Sequence, residues 1–456
     1  MLKFQRLSIW KSRLTPSDRQ LSPNSPNNIQ LSAYKSQQSR YVSSTISFMT
    51  MDSKDLSKVQ KLVKLRVPLL KSPTHFGHYS SRVNRLYNED KYSANVLTLP
   101  EGRTVFNFNI FDGHGGDQCS TFLSNNLSEG IEGADELSLE LDGARNDLAK
   151  KYWKTIGGYW KRWYKHREDS FKAMQSTLKL SNLEMPPDDL FLRLPVSFLK
   201  TDYDFFEQED NTSGSTCTSA LVETIYSSVP GSFQPVYDNY YFNRNSISKL
   251  TIAHVGDTKA ILVDKMGEAH ALTESHHPSN PQEASRLRKF AANFFMTDSF
   301  GEERFIALAN TRSFGDVNFK QMGVTAEPEV SQYIIGDSAC IQQKLTPEEI
   351  KNYTIGGLGG DESFLILCTD GVTDVLTDQE IADIGMAHFN MVGHPKATPQ
   401  ACAEEVVKFV EYVGGDDNST CLVVRLNGWG KWPVLDRTGE LRQARMVEFN
   451  PRGERG

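Results

Sequence analysis

An apolar segment that ends in an acid, a histidine and three glycines is the first candidate reaction site in the 456-residue chain. Residues 106–110 alternate apolar side chains with asparagines, and this period of two predicts a half-buried strand that ends at Asp112. The glycines at 113, 115 and 116 allow a sharp turn and a close approach to a ligand, and His114 can carry a proton near neutral pH. The local pattern is equally typical of a turn that holds a hydrogen-bonded histidine.

Acidic residues adjoin apolar segments at three other places in the chain. Carboxylates gathered in one site repel one another and lose hydration, so they persist only when they are paired or when cations neutralise them. Oxygen donors without nearby Cys or His pairs at zinc spacing suit hard divalent cations such as Mg²⁺ and Mn²⁺. The three places are Arg85 with Glu89 and Asp90, Asp370 with Asp374 after the run 364–368, and Asp416 with Asp417 before the run 420–426.

The order of these clusters resembles the metal-dependent protein phosphatase 2C family, including its fungal mitochondrial members. The resemblance covers residues 78–427 and implies an α+β fold, the four-layer α-β-β-α sandwich with two central antiparallel sheets. It also implies hydrolysis of phosphoserine and phosphothreonine in proteins. The matching segments are Arg85–Asp90, Phe111–Gly116, Ser213–Thr216, Val255–Thr258, Arg312–Asp316, Glu327–Val330, Asp370–Asp374 and Asp417–Asn418.

The resemblance implies two Mg²⁺ or Mn²⁺ ions and a weaker third ion. Asp112 would bridge the first two ions, and a hydroxide held between them would attack phosphorus in line. At the place of one ligand to the third ion this chain has Asn211, with Asp210 one residue earlier. The other implied ligands are Glu89 and the carbonyl of Gly113 for one ion, Asp370 and Asp417 for its neighbour, and Asp374 for the third ion.

Three further residues would act on the substrate or on water. Arg85 matches the family's phosphate clamp, and its planar guanidinium can bind two phosphate oxygens at once. His114 would be the general acid that protonates the departing serine or threonine alkoxide. Asp90 would hydrogen-bond metal-bound waters. Asp257 and Asp316 follow glycines and are interpreted as turn residues.

The spread of the motifs predicts one catalytic domain with extensions. The motifs extend over about 350 positions and must meet in one place, which favours a single domain over residues 78–427. No apolar run approaches the ~18 residues of a membrane span, and the six cysteines lack Cys-x-x-Cys spacing and are expected as buried free thiols. The remaining divisions are a mitochondrial presequence at 1–50, a linker at 51–77, a basic and aromatic insertion around 145–185, and a C-terminal extension at 428–456.

The first 50 residues hold seven basic residues and a single acid, with apolar residues among the early bases. This composition is typical of a mitochondrial presequence, and a disordered basic tail is the alternative. These residues carry a net charge of +6, so the rest of the chain has a net charge of −13 out of the total of −7. Such an acidic domain is a poor candidate for nonspecific nucleic-acid binding. We expect a monomeric enzyme that acts on phosphorylated mitochondrial proteins, with the pyruvate dehydrogenase complex as a candidate by family analogy. The sequence is compatible with both the matrix and the intermembrane space.

Local patterns predict several elements around the motifs. Residues 250–255 and 260–263, joined by a Gly-Asp turn, predict neighbouring strands of an antiparallel meander, with a second turn at 264–267. Helical spacing of Trp153, Ile156, Trp160 and Trp163 predicts a helix with its tryptophans on the core, or alternatively a contact for an acidic partner or an anionic lipid surface. Other helical patterns are Gln282–Phe290, Asp378–Ala387 and Pro399–Tyr412.

Two other functional classes are compatible with part of this pattern. A catalytically silent phosphatase-like module that binds partners would need none of the matched metal and phosphate residues, whereas this chain has them together. A hydrolase of small phosphorylated metabolites would share the metal centre and differ in its substrate.

Overall fold

The computed structural model describes residues 41–50, 59–134, 144–157, 180–183, 190–210, 212–227, 240–243, 245–291, 295–297, 303–305, 308–393 and 396–448. The strands are β1 (Tyr41–Thr50), β2 (Val59–Pro68), β3 (Phe76–Ser81), β4 (Lys91–Leu99), β5 (Arg103–His114), β6 (Gly214–Ser227), β7 (Ser246–Val255), β8 (Lys259–Val263), β9 (Ala269–Ala271), β10 (Phe295–Thr297), β11 (Glu303–Phe305), β12 (Phe314–Gly315), β13 (Glu329–Gly336), β14 (Phe364–Cys368) and β15 (Ser419–Arg425).

The α-helices lie between and after these strands, singly or in consecutive groups. They are α1 (Gln118–Glu132), α2 (Ala144–Thr155), α3 (Leu190–Phe206), α4 (Pro281–Ala291), α5 (Val317–Lys320), α6 (Ser338–Lys344), α7 (Pro347–Tyr353), α8 (Asp370–Thr373), α9 (Asp378–Val392), α10 (Pro399–Tyr412) and α11 (Gly439–Glu448). The helical patterns at 282–290, 378–387 and 399–412 are therefore confirmed in α4, α9 and α10.

Two antiparallel sheets form the centre of the fold. The first sheet has the strand order β13-β7-β6-β5-β4, with β12 paired to β6, and the second has the order β3-β15-β14-β8-β9. Alternate side chains of the two sheets meet in one apolar cluster, in which Phe106 and Phe108 of β5 join Leu365 of β14 and Leu422 of β15. The strands β1 and β2 pair with each other, as do β10 and β11.

Helices cover the outer face of each sheet. Leu123 of α1 and Leu194 of α3 share an apolar cluster with Leu221 of the first sheet. Val406 of α10 belongs to the corresponding cluster with Ile366 of the second sheet. The α+β fold class and the four-layer α-β-β-α sandwich are therefore confirmed.

Strand β5 is buried on both faces, so the prediction of a half-buried strand is wrong. Asn107 and Asn109 are fully buried, and their amide nitrogens donate to the hydroxyls of Ser219 and Ser93, respectively, each at 2.9 Å. Helix α1 covers this face, and its Ser128 hydroxyl donates to Asn107 Oδ1. Such pairing offsets the cost of burying amides, and an alternating sequence pattern does not reveal it.

The turn at Gly256-Asp257 connects the two sheets, so the first step of the predicted meander is wrong. Strand β7 pairs with β6 and β13, whereas β8 pairs with β14 and β9. Gly256 has a φ of +101°, a conformation that favours glycine, where the chain passes from one sheet to the other. The second step is confirmed, because β8 and β9 pair across a turn in which Gly267 N donates to the Asp264 carbonyl.

Helix α2 begins the insertion and buries a tyrosine rather than a tryptophan. Tyr152 and Ile156 are buried in one cluster with residues of α3, whereas Trp153 is 38% exposed. The prediction of a tryptophan on the core is therefore wrong for Trp153, because the buried stripe follows positions 149, 152 and 156. Trp160 and Trp163 lie outside the described residues, as do residues 1–40 of the expected presequence.

Residues that follow β15 pack on the helices of the second sheet. The buried rings of Trp429 and Trp432 contact Phe364 of β14 and Phe389 of α9. None of the described helices is both long and apolar enough to cross a bilayer. All six cysteines are buried and free, as expected.

Candidate metal centre

A cavity of about 320 Å³ opens at one edge of the sandwich, where loops from both sheets meet. Residues drawn from widely separated parts of the chain line it, so the distant acidic motifs do converge. Asp90 and Asp374 are not part of this lining; Asp90 is buried and Asp374 follows α8. The lining residues with an expected role are Arg85, Glu89, Asp112, Gly113, His114, Asp370 and Asp417.

Strand ends position the carboxylates. Asp112 is the third-last residue of β5 and pairs in register with Thr216 of β6, so a central strand of the first sheet holds it. Asp370 begins α8 directly after β14, and Asp417 precedes β15. Because β14 and β15 are adjacent antiparallel strands that pair through Cys368 and Cys421, the end of one and the start of the other lie at the same sheet edge.

Three carboxylates approach one another closely at this edge. One oxygen from each of Asp112, Asp257 and Asp370 lies within 4.8 Å of the others. Burial and the negative charge of Asp370 hold the pKa of Asp112 well above its ordinary value. Burial and the charge of Asp257 raise the pKa of Asp370 to about 8, and burial also raises the pKa of Asp257. Such a cluster ionises readily only when cations compensate its charge.

The donor set fits hard divalent cations. Among the described residues, Oδ1 of Asp90 and Oδ1 of Asp257 are buried without a hydrogen-bond partner. Unpaired buried carboxylate oxygens are costly, and oxygen ligands are those that Mg²⁺ and Mn²⁺ take. Asp90 accepts from Thr369 and Thr420 through Oδ2 at 3.0 and 2.7 Å, and burial raises its pKa to about 6.

Asp257 is a site residue that the sequence analysis interpreted as a turn former. It occupies the turn between the sheets and lines the cavity, and its Oδ2 accepts a hydrogen bond from Asn310 at 2.8 Å. The missed signal is an apolar strand that ends in an acid beside a glycine, the same signal that identified Asp112. Asn310 and Arg304 also line the cavity, and they lie in a stretch without periodicity that offered no sequence signal.

His114 is paired with Asp316, the second residue interpreted as a turn former. His114 Nε2 lies 2.8 Å from Asp316 Oδ2, which also accepts from Ser313. Burial lowers the pKa of His114, but the hydrogen bond and charge of Asp316 outweigh burial, and the net shift is upward. A Cβ at Gly214 would overlap His114 Nε2 and Asp316 Oδ2, so glycine is required where β6 passes this pair.

Arg85 lies at the mouth of the cavity with its guanidinium already oriented. Its terminal nitrogen donates to Asp417 Oδ2 at 2.6 Å, and its Nε donates to the Asp416 carbonyl. Glu89 is fixed from two directions, because its Oε1 accepts from Gly116 N and its own N–H donates to Asn418 Oδ1, each at 2.8 Å. Both side chains are thus held in place by backbone and carboxylate partners.

We expect the metal-free protein to lose stability as the pH rises from about 4 to about 8. An aspartate of the unfolded chain ionises near pH 4, whereas Asp370 in the fold keeps its proton to about pH 8. The folded state therefore binds more protons in this range, and the free energy of unfolding falls as pH rises. Asp370→Asn should raise the melting temperature at pH 8 in chelator by a few degrees.

Asp147→Asn is the matched control for this measurement, because Asp147 is an exposed carboxylate on α2. Melting temperatures of the three proteins from pH 5 to pH 8 would be compared. The explanation fails if the melting temperature of Asp370→Asn falls with rising pH as steeply as that of the wild type and of Asp147→Asn.

A family model described as Protein phosphatase 2C matches residues 162–341 and 354–419. Protein phosphatase 2C homolog 4 of Schizosaccharomyces pombe is 32% identical over 399 residues, which are 85% of this chain and 89% of that protein. Protein phosphatase 1K, mitochondrial, of Xenopus laevis is 33% identical over 184 residues, 40% of this chain and 41% of that protein.

Probable protein phosphatase 2C member 13, mitochondrial, of Oryza sativa is 25% identical over 354 residues, 77% of this chain and 68% of that protein. The likeness to the fission yeast protein extends along most of both chains, and the family model spans more than half of this one. With the sandwich and the acidic cavity at its edge, the chain belongs to the protein phosphatase 2C family of metal-dependent protein-serine/threonine phosphatases.

Proposed function

We propose that the protein is a monomeric mitochondrial phosphatase that hydrolyses phosphoserine and phosphothreonine with two Mg²⁺ or Mn²⁺ ions at this cavity. The observation that carries the proposal is the approach of Asp112, Asp257 and Asp370 within 4.8 Å, in a cavity that Arg85 also lines. Clustered acids favour cations and repel a phosphate dianion, so the site binds phosphate only together with metal ions and a basic side chain.

The residues that would hold the ions are those that the family resemblance implies. Asp112 would bridge the pair, and Asp374 would hold the weaker third ion. When bound, the two ions would neutralise phosphate charge and lower the pKa of water, which would supply hydroxide near neutral pH for hydrolysis. The other ligands are the Glu89 side chain and the Gly113 carbonyl for one ion, and Asp370 and Asp417 for its neighbour.

The chain's own side chains supply binding and proton transfer. Arg85 binds the phosphate oxygens, and its ion pair with Asp417 keeps the guanidinium at the cavity mouth. His114 donates a proton to the departing alkoxide, and Asp316 favours the protonated imidazole that this step requires. Asp90 would use Oδ1, which has no hydrogen-bond partner among the described residues, to accept hydrogen bonds from metal-bound water.

The direct test is hydrolysis of a phosphothreonine peptide with Mn²⁺, with and without a chelator. We expect turnover with Mn²⁺ and none in excess chelator, and a kcat/KM for sugar phosphates at least about 10²-fold lower than for the peptide. No hydrolysis of either substrate would support the silent binding module and end the proposal. A preference for sugar phosphates would assign the centre to metabolite hydrolysis.

Mitochondrial location is supported by the basic N-terminal composition and by the names of two relatives. Phosphorylated mitochondrial proteins are the proposed substrates, with the pyruvate dehydrogenase complex as a candidate by family analogy. Residues 1–50 fused to a fluorescent protein should direct it to mitochondria, and the same fusion with its seven basic residues changed to glutamine should not. Cytosolic fluorescence from both fusions would contradict this location.

A further inference from the structure

Two large apolar side chains are exposed to solvent on the loop that carries Arg85. They belong to the mouth loop, residues 82–90, which connects β3 to β4. Leu86 is 82% exposed and Tyr87 is 78% exposed. Single exposed apolar residues are common, but two consecutive ones beside a metal centre form a surface that a partner can cover.

The mouth loop also carries residues of the metal centre. Leu86 and Tyr87 directly follow Arg85, which lines the cavity, and Glu89 lies two positions after Tyr87. Consecutive Cα atoms are about 3.8 Å apart, so Leu86 and Tyr87 begin within about 8 Å of the Arg85 backbone. An extended substrate chain advances about 3.3 Å per residue, which places its side chains one or two positions from the phosphorylated residue near this surface.

Backbone contacts hold the mouth loop in one conformation. Asn418 donates through Nδ2 to the carbonyls of Arg82 and Tyr87 at 3.2 and 2.9 Å. Within the loop, Arg85 N donates to the Arg82 carbonyl, and the Arg82 guanidinium donates to the Arg85 carbonyl at 2.7 Å. The exposed side chains therefore extend from a fixed backbone, so ordering the loop adds little cost when a partner binds.

The backbone at Val83 is strained. Its φ is +48°, a region that a β-branched residue rarely adopts. Its N–H donates to the Ser81 hydroxyl at 3.2 Å, which helps to hold this conformation. Strain of this kind persists where the surrounding structure imposes a particular loop path, and it is most frequent at ligand-binding sites.

We propose that Leu86 and Tyr87 bind the substrate polypeptide beside its phosphorylated residue and favour an apolar side chain one or two positions away. This inference rests on the proposed function and adds a substrate class to it. The occupant is the substrate rather than a permanent partner, because a permanent partner over these residues would also cover Arg85, which is 58% exposed on the same loop. The preference is apolar because both projecting side chains are large and apolar.

The test compares two phosphothreonine peptides, one with leucines and one with serines at the positions flanking the phosphothreonine. For the wild-type protein we expect the leucine peptide to have the lower KM. The double variant Leu86→Ser, Tyr87→Ser should raise KM for the leucine peptide about tenfold, or about 1.4 kcal/mol, with kcat changed less than about twofold. Its KM values for the two peptides should become equal.

Matched variants separate this effect from a general loss of surface apolarity. Met391→Ser with Val434→Ser removes two side chains that are 78% and 87% exposed and do not line the cavity, and it should leave both KM values unchanged. Tyr87→Phe keeps the apolar ring and should keep the wild-type KM. A tenfold rise of KM in the Met391 and Val434 variant would overturn the inference.

Hydrolysis of p-nitrophenyl phosphate distinguishes failure of this inference from failure of the proposed function. One outcome is that the wild-type protein hydrolyses this compound and both peptides but shows the same KM for the two peptides. In that case the proposed function stands and the inference is overturned. If it hydrolyses none of them, the proposed function fails. Sedimentation tests whether these residues instead join two copies of the chain. If the wild-type protein is a dimer, and the double variant is a monomer with an unchanged KM, the inference is overturned.

Discussion

Asp112→Asn is expected to lower kcat for a phosphothreonine peptide by at least about 10³-fold, which corresponds to about 4 kcal/mol of transition-state stabilisation. The carboxylate lies within 4.8 Å of Asp257 and Asp370 and is the proposed bridge between two ions. An amide has one oxygen and no charge, so it can neither bridge two cations nor compensate their charge. Steady-state kinetics over a range of Mn²⁺ concentrations would measure the loss, and calorimetric titration with Mn²⁺ would report metal binding without turnover.

Asp147→Asn again serves as the control, because it removes an exposed carboxylate of α2 and should keep wild-type kinetics. Retention of more than a tenth of the wild-type kcat by Asp112→Asn at saturating Mn²⁺ would contradict the bridging role. If the inactive variant still binds phosphoproteins, it can be used to capture them from isolated mitochondria. Their identification would reveal the physiological substrates.

His114→Ala is expected to slow hydrolysis of a phosphothreonine peptide by about 10²- to 10⁴-fold and hydrolysis of p-nitrophenyl phosphate by much less. A threonine alkoxide departs poorly without a proton, whereas p-nitrophenolate is the anion of an acidic phenol and needs none. The ratio of the two kcat values therefore reports proton donation to the leaving group. Equal losses on both substrates would assign His114 a role in binding or in assembling the site.

Asp316→Asn provides an intermediate variant for the same comparison. It keeps the imidazole but removes the charge that raises the pKa of His114. Because the general acid acts in its protonated form, activity on the peptide should decline at a lower pH than in the wild type. An unchanged pH profile would show that Asp316 acts on His114 only through packing.

The sequence predicted where the strands around the metal centre lie along the chain. It predicted less well which of the two sheets each strand joins. Apolar runs that lead into Asp112 and Asp370 indicated strands, because alternating or continuous apolar residues bounded by turn residues are typical of strands. The separation of β7 from β8 was missed, because a short turn with glycine fits a hairpin and a change of sheet equally well. Asp257 does occupy that turn, as interpreted, but its place in the cavity was missed.

Contacts between distant residues explain the other differences. Asp316 was interpreted as a turn residue because its partner, His114, is about 200 positions away. Asn107 and Asn109 looked solvent-facing, yet a helix brings Ser128 over them. Trp153 faces outward because Tyr152 finds a buried hydrogen-bond partner in Asp202 at 2.6 Å. A linear sequence does not display these pairings.

The position of β15 between β3 and β14 has a consequence for how activity arises during biosynthesis. The chain segment that carries Arg85 and Glu89 is made early, but the strand that separates β3 from β14 is among the last to emerge. A nascent polypeptide that is still short of residue 417 lacks both Asp417 and the middle of the second sheet. Dephosphorylating activity therefore requires the nearly complete chain, and a premature stop before residue 417 leaves the early motifs without a working centre.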